Sequence, residues 1–412
     1  METRLAEFIK DTPQGREADS ILRTCVHCGF CNATCPTYQL LGDELDGPRG
    51  RIYLIKQMLE GAQPTEKTRL HLDRCLTCRA CETTCPSGVR YGRLADIGRD
   101  LVEQRVKRSF IENLKRAALR TTFTNPALFN PLLGLGRLVR PLLPEKIRRT
   151  IPRAARAGAW PSTHHARKML VLEGCVQPAI APAINSAAAR VLDRLGISLI
   201  PVRGCCGALP YHMNAQKEGL HYMRRNIHNW WPDIKRGAEA LVITASGCGA
   251  MLREYGHLLN DDPVYSEKAR RVSAISKDIV EVIVAEKDKI RAQLLQPPKR
   301  EAKTAFHSPC SLQHALKLGG VVEKLLSDCG FELTRVADSH LCCGSAGTYS
   351  ILQPELSQQL LANKIKALTS GAPSRILTAN IGCLAHLQSA TELPVKHWIQ
   401  ALEESLNRVY PE

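Results

Sequence analysis

Two stretches of the 412-residue chain repeat one pattern of cysteines, and that pattern restricts the fold more than any other feature. The first reads Cys25-Val-His-Cys28-Gly-Phe-Cys31-Asn-Ala-Thr-Cys35-Pro36, the second Cys75-Leu-Thr-Cys78-Arg-Ala-Cys81-Glu-Thr-Thr-Cys85-Pro86. Each cysteine of the second lies 50 positions after its counterpart in the first. A C-x2-C-x2-C-x3-C-P run holds a [4Fe–4S] cluster. Two residues between successive thiols let the chain turn from one iron to the next, so three thiolates wrap one corner of a cube. The fourth thiol then points away, and the proline behind it stops the turn from closing further. Structural zinc also uses C-x2-C, but as two separated pairs rather than three cysteines two apart with a fourth.

Where two such runs occur together, the fourth cysteine of each ligates the cluster of the other. The expectation is two [4Fe–4S] clusters, one on Cys25, Cys28, Cys31 and Cys85, the other on Cys75, Cys78, Cys81 and Cys35. Short helices over 15–24 and 66–74 deliver the runs, and Ile52, Ile55 and Leu59, then Leu94, Ile97 and Leu101, repeat at helical spacing behind them. Strand signals are absent, so residues 1–105 read as an α-helical ferredoxin domain. Arg49 and Arg51 either tune a cluster from nearby or are ordinary surface arginines.

The 17 cysteines suit a reducing compartment rather than a disulfide framework. The N-terminus, Met-Glu-Thr-Arg-Leu-Ala-Glu, has no apolar signal core, and no apolar run reaches the roughly 18 residues of a membrane span. The expected location is the cytoplasmic face of the inner membrane, as a peripheral protein. The net charge of +16 is concentrated: between Arg105 and Arg156 thirteen Lys or Arg stand against Glu112 and Glu145. This excess lies in an apolar, proline-broken segment, 106–166, that suits an anionic membrane face, a partner subunit or a plain linker. Aromatics are sparse and the basic residues sit beside prolines and leucines, so no nucleic-acid partner is expected.

The rest of the chain is a second duplication. Strand 168–173 ends near Cys175, a helix leads to strand 197–202 and Cys205-Cys206-Gly207, and a further helix leads to strand 240–245 and Cys248. In the second copy strand 303–307 ends near Cys310, a helix carries Leu316, Val322 and Leu326, strand 331–336 precedes Cys342-Cys343-Gly344, and strand 375–379 precedes Cys383. Matched cysteines are offset by 135 (Cys175, Cys310) to 137 (Cys205, Cys342) positions. Strands alternating with helices imply parallel sheets, with the cysteines gathered at their carboxyl rims. The fold class is thus an α-helical ferredoxin domain followed by two duplicated α/β Cys-Cys-Gly modules with parallel sheets. The modules are expected over 167–265 and 301–412, joined by a connecting helix over 266–300. Two further candidate sets of metal or thiol groups follow: Cys310, Cys342, Cys343 and Cys383, and the weaker Cys175, Cys205, Cys206 and Cys248.

Two ferredoxin runs followed by two Cys-Cys-Gly modules resemble the iron–sulfur subunits grouped with heterodisulfide reductase, anaerobic glycerol-3-phosphate dehydrogenase and lactate utilisation proteins. Within that group the text of Cys25–Tyr38, Gly47–Ile52 and Cys205–Met213 is most similar to the bacterial glycolate oxidase iron–sulfur subunits. The resemblance implies an electron-transfer subunit with two [4Fe–4S] clusters. Its partners would be flavin-containing glycolate oxidase subunits that oxidise glycolate to glyoxylate, with a membrane quinone as acceptor. Lactate or glycerol-3-phosphate oxidation is the alternative, as is a thiol or disulfide reductase working at the Cys-Cys-Gly sites. The chain lacks a G-x-G-x-x-G fingerprint and a P-loop, which places the flavin on another chain. It also departs from the group's pattern, in which a module ends in Cys-x-x-Cys. Met251 holds that last position in the first copy and His386 in the second, so His386 joins the second candidate set and an additional cluster is expected there if anywhere.

Overall fold

The computed structural model describes residues 1–293 and 303–409. The first 105 residues are helical among short turns. Helices Pro13–Thr24 and Glu66–Asp73 lead into the two cysteine runs, while Pro48–Leu59 and Tyr91–Arg105 follow them. Pro13 and Pro48 stand at first helical positions, where the missing N–H costs nothing. The apolar stripes read from the sequence form the core here, with Ile55, Leu59 and Leu94 inaccessible to solvent.

Segment 106–166 contains helices Phe110–Thr124, Pro126–Val139 and Glu145–Arg148, and beyond residue 151 the path to 165 is irregular. Its charge is less free than the sequence count implies. Arg108 and Arg116 are buried in ion pairs with Asp73 at 2.7 and 3.3 Å, and Arg120 pairs with Glu218 at 3.1 Å.

Two parallel sheets follow. The first joins β1 (Arg167–Leu172), β2 (Ile197–Val202), β3 (Leu241–Ile243) and β4 (Ser276–Asp278) in the order β2-β1-β3-β4. The second joins β5 (Thr304–His307), β6 (Arg375–Thr378) and β7 (Val395–His397) in that order. Three details depart from expectation. The stretch read as one connecting helix over 266–300 instead breaks at Asp278. There its carboxylate caps the next helix at Val280 N and Glu281 reaches back to Asp278 N, so the preceding residues are left extended as β4. The boundary near residue 300 lies outside the described residues.

The strand expected at 331–336 is reduced to one bridge, Thr304 to Leu333, with two backbone hydrogen bonds of 2.9 Å. Its counterpart β2 pairs over six residues and buries Ile197, Leu199 and Val202, whereas Glu332, Thr334 and Arg335 give the second copy little to bury. The helix expected to carry Leu316, Val322 and Leu326 is split into a π turn over Ser311–Ala315 and a helix over Val321–Asp328. Gly319-Gly320 and Lys317, with φ of 59°, interrupt it.

The two copies are not separate bodies. One continuous core takes Ile184, Val191 and Leu192 from the first and Trp398, Leu402 and Leu406 from the second. Helix Trp398–Val409 lies on Ala183–Asp193, joined by Arg190 to Glu403 and by Arg194 to Asn407 at 2.7 Å.

The glycine of each Cys-Cys-Gly triplet has a defined task. Gly207 (φ 82°) and Gly344 (φ 88°) take left-handed backbone, and a Cβ would lie 2.8 Å from the Gly219 carbonyl or 2.6 Å from that of Ser357. The chain therefore turns hard against the following helix, which a side chain would forbid. Gly344→Ala should lower stability by about 1–3 kcal/mol. Gly320→Ala, also left-handed but with open space around it, should cost less. Urea unfolding of the two variants measures the difference, and equal losses would refute the steric part of this account.

Candidate metal centres

Each two-residue spacer of the ferredoxin runs contains one left-handed residue: His27 (φ 59°) and Gly29 (88°) in the first, Thr77 (54°) and Arg79 (60°) in the second. These turns bring the thiols of each run to one side. Two hollows result. One, of about 440 Å³ including its open mouth, is lined by Cys25, Cys28, Cys31 and Cys85 with Arg49. The other, of about 290 Å³, is lined by Cys35, Cys75, Cys78 and Cys81 with Arg51. Cys81, Pro48 and Tyr91 border both. None of the eight cysteines of the two runs is in a disulfide, so each hollow offers a complete set of four sulfur donors of the kind an iron–sulfur cubane takes.

The hollows differ in depth. Cys28 is exposed, beside exposed Val26 and Phe30, so the first faces the surface. The second is walled by charge. Arg51, 1 % exposed, donates from Nε to the His71 carbonyl (2.7 Å) and from Nη2 to Thr37 Oγ1 (3.1 Å) and Asp46 Oδ1 (3.4 Å); its Nη1 is 4.0 Å from Cys35 Sγ. Asp46, fully buried, also accepts from Arg74 at 2.7 Å and pairs with His71 Nδ1 at 3.1 Å. Arg99 donates to Thr77 Oγ1 at 2.8 Å and to the Cys75 carbonyl. Burial works to raise the Cys75 thiol, but the guanidiniums of Arg51 and Arg99 outweigh it and hold the group below its ordinary value. Of the two arginines weighed from sequence, Arg51 is built into this wall, while Arg49 lines the open hollow and pairs with Glu44 at 3.5 Å.

The Cys-Cys-Gly cysteines gather as well. In the first copy the Cys205 thiolate accepts from Cys175 first and Cys206 next, which draws it well below its ordinary value, and Cys248 adjoins Cys206. In the second copy Cys310 and Cys342 are 3.8 Å apart. Cys343 and Cys383 fall within 4.8 Å of each other and of a ring nitrogen of His307, a residue not singled out from sequence. Burial drives that imidazole down to about 3, so it is neutral. The signal was a histidine closing a strand where the first copy has Leu172. His386, expected in this set, stays beside it without joining the group within that distance: its Nε2 is 3.3 Å from Ser357 Oγ, and its ring lies against the Cys343 backbone.

This second set sits against the ferredoxin domain. Burial first, and the Cys310 thiol next, push Cys78 well above its ordinary range. Leu76 packs with Cys342 and Tyr349, Tyr349 donates to the Arg74 carbonyl at 3.0 Å, and Thr83 Oγ1 is 3.0 Å from His314 Nδ1.

Comparison with known proteins agrees with this layout. Residues 21–89 match the 4Fe-4S dicluster domain family, and residues 169–253 and 304–388 match the cysteine-rich domain family. The chain is 56 % identical to the glycolate oxidase iron–sulfur subunit of Escherichia coli K12, over 99 % of this chain and all of that protein. It belongs to the glycolate oxidase iron–sulfur subunit family. The probable member from Bacillus subtilis 168 is 32 % identical over 90 % of this chain and 89 % of that protein. Lactate utilization protein A of Bacillus licheniformis is 28 % identical over 52 % of this chain and 87 % of its own length. As a member of the family the chain carries [4Fe–4S] clusters and serves as an iron–sulfur electron-transfer component of an oxidoreductase complex. Among the described residues no helix is long and apolar enough to cross a membrane.

The Asp46 network yields a test. Removing one partner from a buried charge group leaves the others uncompensated, which costs about 3–5 kcal/mol. Asp46→Ala should lose that much in denaturant unfolding, while Asp43→Ala, which removes only an exposed cap on the Leu45 N–H, should cost about 1 kcal/mol. A loss below about 1 kcal/mol would show that Arg51 and Arg74 find other partners.

Proposed function

We propose that this chain carries electrons from a flavin subunit that oxidises glycolate to glyoxylate to a membrane quinone. Oxidation releases two electrons and two protons per glycolate, and reduction of the quinone to quinol consumes both. Cys25, Cys28, Cys31 and Cys85 would hold one cluster, and Cys75, Cys78, Cys81 and Cys35 the other. When bound, these clusters supply one-electron carriers. The reading rests on one observation: the two hollows share Cys81 and Tyr91 as a common wall, so carriers held there would be neighbours. The chain's own residues set the environment. Arg51 and Arg99 favour thiolate at Cys75, and Thr37 and Tyr91 offer hydroxyl contacts to Cys35 and Cys75 at 3.3 and 3.7 Å.

The test uses the assembled complex. In Cys25→Ser or Cys78→Ser, glycolate should still bleach the partner's flavin while reduction of a quinone analogue falls by two orders of magnitude or more. Normal quinone turnover in either variant would overturn the relay.

Peripheral contact with an anionic membrane face belongs to the same proposal. Phe110, Leu138 and Leu142 are 80 %, 76 % and 86 % exposed on the segment that leads into Arg148, Arg149, Arg153 and Arg156. An apolar face with a basic flank suits the boundary of an anionic bilayer, with about 1 kcal/mol for each basic residue near it. Neutralising those four arginines should release the protein from anionic vesicles, and added salt should do the same because charges are screened within about 10 Å at 0.1 M. Unchanged vesicle binding would make the segment a docking arm for a partner subunit.

A further inference from the structure

The mouth of the open hollow carries an apolar rim. Val26 and Phe30, 69 % and 62 % exposed, both line it beside the exposed Cys28. Tyr53, also exposed, extends the rim from helix Pro48–Leu59, its ring 6.2 Å from that of His27, which lines the same hollow. With the thiols gathered to one side by left-handed turns at His27 and Gly29, the intervening Val26 and Phe30 are left facing outward. Apolar side chains exposed singly need no account, but three around one opening mark a contact surface.

The repeat within the ferredoxin domain shows what covers such a corner. Leu76 stands 50 positions after Val26, and Ala80 stands 50 after Phe30. They are only 7 % and 1 % exposed, and Leu76 packs with Cys342 and Tyr349 of the second module. The corner of the second run is thus closed by protein from this chain, whereas the matching corner of the first is left open.

Charge indicates which body closes the open corner. Around the walled hollow the guanidiniums of Arg51, Arg74 and Arg99 stand against the carboxylate of Asp46, while at the open hollow Arg49 is matched by Glu44. Positive charge favours the reduced form of a carrier, so electrons are drawn from the open hollow toward the walled one. The open hollow is the receiving end. Electron transfer weakens exponentially with the thickness of protein between carriers, so the donor must seat itself against this rim.

We infer that Val26, Phe30 and Tyr53 form the surface on which the flavin subunit docks, and that electrons enter this chain beside Cys28. The inference rests on the relay reading and adds where the donor binds. The electrons are the two from each glycolate, handed over singly by reduced flavin and passed on to the quinone. A small rim suffices, because redox contacts lie at the low end of interface size, below about 1,200 Å². The exposed apolar segment around Phe110 and Leu142 is a different surface, anchored at Asp73 ahead of the second run, at Glu218 and at Ala179.

Titrating the full-length, iron-loaded chain with its flavin subunit under anaerobic conditions tests the surface, with the dissociation constant as readout. Phe30→Glu and Tyr53→Glu should each weaken binding tenfold or more, since buried aromatic anchors dominate such contacts. Both should keep eight irons and eight sulfides per chain and an absorbance that dithionite bleaches. Leu142→Glu should bind the flavin subunit as the wild type does. Tyr53 does not line the hollow, so Tyr53→Glu decides the matter if Phe30→Glu loses iron. Wild-type affinity in Tyr53→Glu, or a tenfold loss in Leu142→Glu, would overturn the docking surface and leave the relay standing. The relay itself falls on a different result, normal quinone turnover in the cysteine variants.

Discussion

The carboxylate of Asp46 is the fixed point of the ferredoxin domain. It is wholly buried, and Arg51 from one helix, His71 from the next and Arg74 at the end of that second helix converge on it. A charge so placed is tolerated only with its partners present. Their geometry thereby ties the exit of the first cysteine run to the approach of the second. Arg51 extends the tie to Cys35 and Thr37, and Arg99 clasps the Cys75 end. Because the fourth thiol of each run must reach the neighbouring hollow, this cross-brace fixes how far apart the runs stand.

Much of this was legible in the sequence because spacing carries so much information. The spacing marks the two runs, and the cross-over of Cys35 and Cys85 is the known pattern where two such runs occur together; in the structure Cys85 lines one hollow and Cys35 the other. The duplicated modules were legible for the same reason, since strands and cysteines recur at one offset. Other features were hidden because they arise only from packing. Nothing in the text of residues 266–293 announces β4, which exists because Asp278 caps the next helix and leaves the preceding residues extended beside β3. His386 was placed in the thiol set by motif position and lies against the Cys343 backbone with its Nε2 near Ser357, while a strand residue that the motif does not mark, His307, also comes close to the Cys343 and Cys383 thiols.

The two copies meet the ferredoxin domain in different ways. The first copy meets the ferredoxin domain through polar pairs, such as Arg79 with Glu254 at 2.8 Å and Arg93 with the Tyr211 hydroxyl at 3.2 Å. The second adds to its polar contacts, Tyr349 with the Arg74 carbonyl and Thr83 with His314, a small core of thiols and apolar groups that includes Leu76, Cys78, Cys310 and Cys342.

The shared core also has a consequence for how the chain is made. Helix Trp398–Val409 covers Ala183–Asp193, so apolar surface of the first module waits for residues synthesised about two hundred positions later. At roughly 5–20 residues per second, that wait lasts on the order of ten seconds or more on the ribosome. Throughout that interval the nascent first module presents an open apolar face and reactive thiols, the state in which a chaperone would find its grip. Splitting the chain between the copies would make that state permanent, which is a physical reason for both halves to remain on a single polypeptide.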